Sequence, residues 1–218
     1  MSASLALRQS KEVSHPPQAV PPESGALLTE RDLVARSRVG DCAAFEQLYV
    51  LYAPGIYRYA YRLLGDADEA DDARQETFVR AYQSLPQFRG EAGFRTYLLT
   101  ICANLCRDRM RQRHRRPVSS YGLAPSEFAA SSQSMSLQSA DPLTHLEQAD
   151  QAARVWRALR SLPVGPREIL LLRHVEGLEI EEIAHIVGCT KISVPVRLFR
   201  ARRQFKDLFL ALLQEDGE

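Results

Sequence analysis

From Thr29 to Leu212 the apolar residues recur at spacings of three and four, and no stretch alternates long enough to make a strand. The pattern predicts a chain of helices. Thr29 followed by Asp32 predicts a capped start for a short first helix, which Gly40 ends. Asp41 can cap the next, which runs through FEQLYVLY to about Leu64, is interrupted or kinked at Pro54, and stops at Gly65. Asp66 opens a third helix, DADEADDARQETFVRAYQSL, closed by Pro86. Its Ala67, Ala70, Ala73 and Thr77 predict a thin face that a neighbouring helix can approach closely. After PQFRGEAG, a fourth helix places Phe94, Tyr97, Leu98, Ile101 and Leu105 on one side and ends near Pro117.

The period resumes at Pro142, with Leu146, Ala149, Ala153, Trp156 and Leu159 as the predicted inner face. SLPVGPRE breaks the chain into a new helix. REILLLRHVEG, EIEEIAHIVG and TKISVPVRLFRARRQF then complete a second helical unit. Proline-rich residues 1–27 predict a disordered leader, and Ser- and Ala-rich residues 117–141 a flexible linker. The expectation is an all-α chain of two small helical domains, residues 28–116 and 142–214, joined by that linker.

A formal net charge of +1 says little, but the charge is segregated. Residues 105–116 carry six Arg against one Asp, and residues 66–80 carry six acids against two Arg. Blocks of opposite sign predict surfaces for different partners. Four cysteines are too few for a disulfide scaffold. Cys102 and Cys106 stand one helical turn apart, but His114 alone does not complete a metal site, so packing or free thiols are expected. No apolar run reaches the roughly 18 residues of a membrane span. With no signal peptide visible, a cytoplasmic protein is expected.

LEIEEIAHIVGCTKISVPVRLFRAR has helix-turn-helix spacing, with Ile180, Ile183 and Ala184 inward and Gly188 at the turn. Residues 190–206 carry six basic residues and no acid. On the last helix Val194, Leu198, Ala201 and Phe205 face the core. Val196, Arg200 and Arg203 point away, with Arg197 flanking, where arginine can meet phosphate or guanine and Val196 a thymine methyl. The run LCRDRMRQRHRR continues an apolar-periodic helix, and Tyr82, Phe88, Phe94 and Tyr97 gather just upstream. Such aromatics either stack on unpaired bases or are simply core. The acidic helix lacks the glycine and spaced oxygens of a calcium loop, which leaves a protein-docking face. No nucleophile elbow, P-loop or zinc signature appears.

Taken together, DCAAFEQLYVLY, GDADEADDARQETFVRAY, FRGEAGFRTYLLTICANLCRDRMR, ALRSLPVGPREILLLRHVEGLEIEEIAHIVG and RLFRARRQF resemble the extracytoplasmic-function (ECF) sigma factors. The resemblance implies a region-two-like domain, a region-four-like domain, and a factor that directs core RNA polymerase to promoters and assists their melting. It implies that Asp68, Asp71, Asp72, Gln75, Glu76 and Phe78 dock on the clamp helices of the largest polymerase subunit. It places Arg89, Phe94, Arg95, Tyr97, Asn104, Arg107, Arg109 and Arg111 at the minus-ten element. Lys191, Val196, Arg197, Arg200 and Arg203 would read the minus-thirty-five duplex while the domain touches the flap of the second-largest subunit. An anti-sigma factor is an expected partner. Neither a cofactor nor membrane insertion nor catalysis is expected, because the chemistry belongs to the polymerase. A two-domain DNA-binding regulator acting without polymerase is the alternative, and the acidic helix argues against it.

Two departures from the family pattern matter. Tyr97 stands where a tryptophan is usual, and Ile192-Ser193-Val194-Pro195-Val196-Arg197 stands where Gly-Thr-Val-Lys-Ser-Arg is common. Proline inside a helix costs roughly 3 kcal/mol, but in the first turn its missing N–H has no partner to lose. Pro195 therefore predicts a recognition helix that begins at Ser193 or Val194.

Overall fold

The computed structural model describes residues 29–115 and 142–215, and within them all side chains but those of 114, 142–149 and 215. The expectations for the leader and the linker lie outside the described residues. Eight α-helices and one short 3-10 turn make up the described chain, with no strand among them.

Helix α1 (Glu30–Arg38) starts at a full capping box: the Asp32 amide donates to Thr29 Oγ1, and the Thr29 amide donates back to the Asp32 carboxylate at 3.0 Å. Asp41 then works twice, capping α2 (Cys42–Leu64) through the Ala44 amide and pairing with Arg36 at 2.7 Å. Helix α2 continues through Pro54, which lies on its exposed side beside Val50 and Leu51. There the Val50 carbonyl, which loses its usual donor, can turn to water.

Gly65, at φ +76°, ends α2, and Asp66 caps α3 (Ala67–Ser84) through the Glu69 amide at 2.9 Å. Ala70, Ala73, Thr77 and Ala81 are buried, so α3 lies close on its neighbours. Ala67, expected on that face, is exposed, because the face begins one turn later. A 3-10 turn at Leu85–Gln87 follows, and then α4 (Phe94–Arg115) closes the first domain.

In the second domain α5 (Pro142–Ser161) turns Ala158 and Leu159 inward, with the buried Leu162 just past its end, whereas Ala153 is exposed and Trp156 half-buried. The expected inner face holds at Leu159 and at Trp156, which packs against the core, but not at Ala153. The Arg62 guanidinium of the first domain lies 5.0 Å from the centroid of the Trp156 ring. Helix α6 (Val164–His174) leads to α7 (Ile180–Val187), and Gly188 at φ +69° makes the turn to α8 (Ser193–Glu215). Ile183 and Ala184 are buried at the helix crossing, as the spacing predicts.

The two domains are packed on each other. Arg167 of α6 donates to the Leu63 carbonyl of α2 at 2.7 Å and to the Arg160 and Leu162 carbonyls at the end of α5. Arg107 of α4 reciprocates, donating to the Ile186 and Val187 carbonyls that end α7. Each domain thus caps helix C-termini of the other, where carbonyls lack intrahelical donors and a cation suits the dipole. Arg95 binds both the carboxylate and the backbone carbonyl of Glu176, and Arg62 lies 3.6 Å from the same carboxylate. Thr96 donates to Glu182 at 2.6 Å.

Glu168 sits at the centre of this interface, 2% exposed, with Arg107 at 3.8 Å and the Tyr59 hydroxyl, Cys102 and Cys106 around it. Its Oε1 has no well-formed hydrogen bond. Burial pushes its carboxyl up to about 7, against the opposing pull of Arg107 and the Tyr59 hydroxyl. The folded chain therefore holds this proton more tightly than the unfolded chain, where a glutamate titrates near about 4.3. Between those values the native state carries the extra proton, so Glu168 makes stability fall as pH rises through about 7. Glu168→Gln carries no such proton. Its unfolding free energy relative to wild type should rise between pH 5 and pH 8 by no more than about 3 kcal/mol, at about 1.4 kcal/mol per pKa unit. Urea denaturation at both pH values checks this, and a pH-independent difference would refute it.

Candidate functional site

Three surfaces of distinct chemistry result, the first being the outer face of α3. Asp68, Asp72 and Gln75 are exposed there. Asp71 is held by Arg74 at 2.7 Å and accepts from Gln75, and Glu76 pairs with Arg80 at 2.7 Å. Phe78 is 4% exposed and packs edge-on against Phe45 and Tyr49. The sequence places Phe78 among docking residues, but its ring is committed to the core and can only position the helix.

The second surface is α4. Asn104 is exposed and accepts from Arg107 at 2.5 Å. Arg89 is 84% exposed in the loop before the helix, and Arg111 is 66% exposed beside Asp108. The other expected DNA ligands are engaged. Arg109 reaches the Glu69 carbonyl and Asp72 at 3.4 and 3.5 Å. Arg95 and Arg107 are held by the second domain through the bonds given above. Phe94, expected beside the strand, is 2% exposed with its ring against Tyr52 and Phe88, so it has no face to offer a base. A period of three cannot tell core from stacking platform, and here the core prevails.

Tyr97 is half-buried, its ring against Phe88 and its hydroxyl bonded to Ser84 and the Ala81 carbonyl. This hydroxyl ties α4 to the end of α3. The Cys102 and Cys106 sulfurs lie 4.0 Å apart in the core. The neighbouring Cys102 sulfur, with burial, holds the Cys106 thiol well above its ordinary range. Such a thiol is a poor metal ligand and a poor nucleophile. No cluster of three or more metal-ligating side chains exists among the described residues.

The third surface is α8. It begins at Ser193, and Pro195 is its third residue, within the first turn. The Ser193 and Val194 amides donate to the Thr190 and Lys191 carbonyls, so the chain enters through one tight turn. The proline costs no internal bond there. Val194, Leu198 and Ala201 are buried, while Val196, Arg197, Arg200 and Arg203 are exposed. Lys191 lies 3.3 Å from Glu181 of α7. Sequence reasoning missed Glu168, Glu176 and Glu182, which lie in the domain interface. A lone acid on an amphipathic helix carries no signal of a partner far away in the chain.

Residues 48–116 match the family described as Sigma-70 region 2, and residues 152–205 match Sigma-70, region 4. The chain is 34% identical over 193 residues to the RNA polymerase sigma-H factor of Pseudomonas aeruginosa, covering 85% of this chain and 96% of that one. It is also 34% identical to the ECF RNA polymerase sigma-E factor of Escherichia coli (strain K12), covering 80% and 91% of the two chains. Among solved structures it is similar to CnrH in complex with the cytosolic domain of CnrY, with a TM-score of 0.59, 27% identity and coverage of 84% and 97%. A second similar structure is the sigma factor RpoE of Bartonella quintana in complex with the anti-sigma factor NepR, with a TM-score of 0.55, 25% identity and coverage of 75% and 95%. Agreement over both domains, in order and over nearly the whole length of these relatives, does not favour a regulator acting without polymerase. The chain belongs to the extracytoplasmic-function sigma factors, transcription initiation factors that work with RNA polymerase.

Proposed function

We infer that the three surfaces divide the work of promoter recognition. The outer face of α3 docks on core polymerase, at the clamp helices of its largest subunit. Helix α4 and the loop before it hold the unpaired minus-ten strand, and α8 reads the minus-thirty-five duplex while its domain meets the flap. In this reading residues 28–116 and 142–214 are the two working units and the chain acts where the polymerase is, in the cytoplasm. Among the described residues no helix is long and apolar enough to cross a membrane. An anti-sigma factor is a further proposed partner, since both similar structures described above are two-protein complexes.

The observation that carries the reading is the sorting of charge. Asp66 and Glu69 turn inward onto Arg113 at 3.9 and 2.6 Å, leaving Asp68 and Asp72 outward on a helix the apolar core already supports. Exposed carboxylates with no catalytic neighbour on a rigid helix suit a protein partner. Arg95, Thr96 and Arg107 sit in the domain interface, so strand binding on α4 requires the second domain to move away. In vitro transcription with purified core polymerase on a genomic promoter pool tests the whole, and absence of any sigma-dependent transcript would overturn it.

Replacing Asp68 and Asp72 together with lysine should weaken core-enzyme binding about tenfold or more, as like charges meet where opposite ones met. A titration against core enzyme, with helical content as the folding control, reads this. Arg111→Ala should flatten the salt dependence of single-stranded minus-ten oligonucleotide binding by the holoenzyme, by about 0.7 in log–log slope for one lost phosphate contact. An unchanged slope would remove Arg111 from the strand path.

A further inference from the structure

The leading edge of α8 differs in chemistry from the rest of that helix. Its polar groups are spent on one another: Thr190 Oγ1 and Ser193 Oγ share a hydrogen bond at 2.7 Å, and Lys191 pairs with Glu181. Pro195 has no N–H to offer. Beside the exposed Lys191–Glu181 pair, what the edge presents outward is apolar. Ile192, in the turn just before the helix, is 87% exposed, and Val196, in the first helical turn and opposite the buried Val194, Leu198 and Ala201, is 50% exposed. Phe199, 67% exposed, continues the line. The exposed Arg197, Arg200 and Arg203 follow behind, and residues 190–206 contain no acid.

A single exposed apolar side chain is ordinary, but a row at helical period on the outward face of a helix-turn-helix is not scattered. The basic flanks identify the occupant as a polyanion. On the floor of the major groove the thymine C5-methyl is the one apolar group among the four bases.

We propose that Ile192 and Val196 form a thymine-reading edge, selecting methyl groups at one or two neighbouring positions of the upstream promoter element while the arginines hold phosphates and flanking bases. The proposal rests on the reading of α8 as the duplex-binding helix. It adds Ile192 as a specificity residue beside Val196.

The test uses the full chain assembled with core polymerase. Upstream duplexes are selected from a random pool, and each thymine of the selected site is then replaced singly by deoxyuridine, which removes only the methyl. One or two adjacent replacements should weaken binding about fourfold each, the worth of one buried methyl-sized group. The double variant Ile192→Ala, Val196→Ala should bind thymine and uracil probes equally. Equal binding of all probes by the wild type would overturn the proposal while leaving duplex reading by the arginines intact. Unchanged selection by the double variant, with a loss of core-enzyme affinity, would overturn it in favour of a protein contact. Failure of the holoenzyme to select any upstream sequence, together with no effect of Arg200→Ala on promoter binding, would overturn both this proposal and the reading it rests on.

Discussion

The arrangement of the described chain depends on an exchange of arginines between two domains. Arg107 closes the end of α7 and Arg167 closes the ends of α2 and α5, each reaching carbonyls that a helix leaves without donors. Around them, Glu168 and Glu176 enter the interface with almost no access to water. Burying a carboxylate costs several kcal/mol, and an ion pair rarely repays that in full. The raised carboxyl of Glu168 records the unpaid part. A contact of this kind specifies one mutual orientation of the domains without binding them tightly. Its hydrogen bonds are worth about 0.5–1.5 kcal/mol each in net terms because water replaces them on separation.

Within each domain the forces are different. Tyr59, Leu63, Leu98 and Leu99 in the first domain, and Leu171, Leu172 and Ile183 in the second, are no more than 1% exposed. Their burial contributes about 1.5–3 kcal/mol per side chain. The buried apolar side chains of the two domains form one continuous cluster, with the arginine, threonine and glutamate contacts set beside it. The proposed function requires those contacts to part, since Arg95, Thr96 and Arg107 are free for a nucleic acid only after parting. The same sorting acts on α3 and α4, where inward Asp66 and Glu69 neutralise Arg113 while Arg89 and Arg111 stay exposed beside Glu91 and Asp108.

What could be read from the sequence was local. Thr29 with Asp32, Asp41, Gly65 and Asp66 mark helix ends through bonds within a few residues, and the structure has each of them in place. The resemblance, carried by segments of both domains, supplied the domain order that the relatives share. Side-chain direction was less legible. Phe78 and Phe94 carry the same residue type at the same period whether they face a core or a partner, and the structure puts both in the core. On α5 the period alone placed Ala153 inward, because the phase depends on what α8 and the first domain offer it. The interdomain seam had no sequence signal, since Glu168, Glu176 and Glu182 acquire partners only through tertiary contact.

Pro195 shows how one backbone constraint reaches function. Its ring forbids a helical bond to the residue four before it and disfavours the helical region for Val194. The helix nevertheless includes Val194, because starting at Ser193 leaves the proline position free of any bond to lose. The preceding turn then has to satisfy its own polar groups, and it does so with Thr190, Lys191 and Ser193. These contacts engage the two hydroxyls and one bond of the Lys191 ammonium, whose side chain stays 66% exposed. In the proposed reading Ile192 and Val196 add the apolar surface of this tip. The arginines one turn later are untouched by the proline, so in that reading the charge that attracts DNA and the surface that selects it are carried by different turns of the chain.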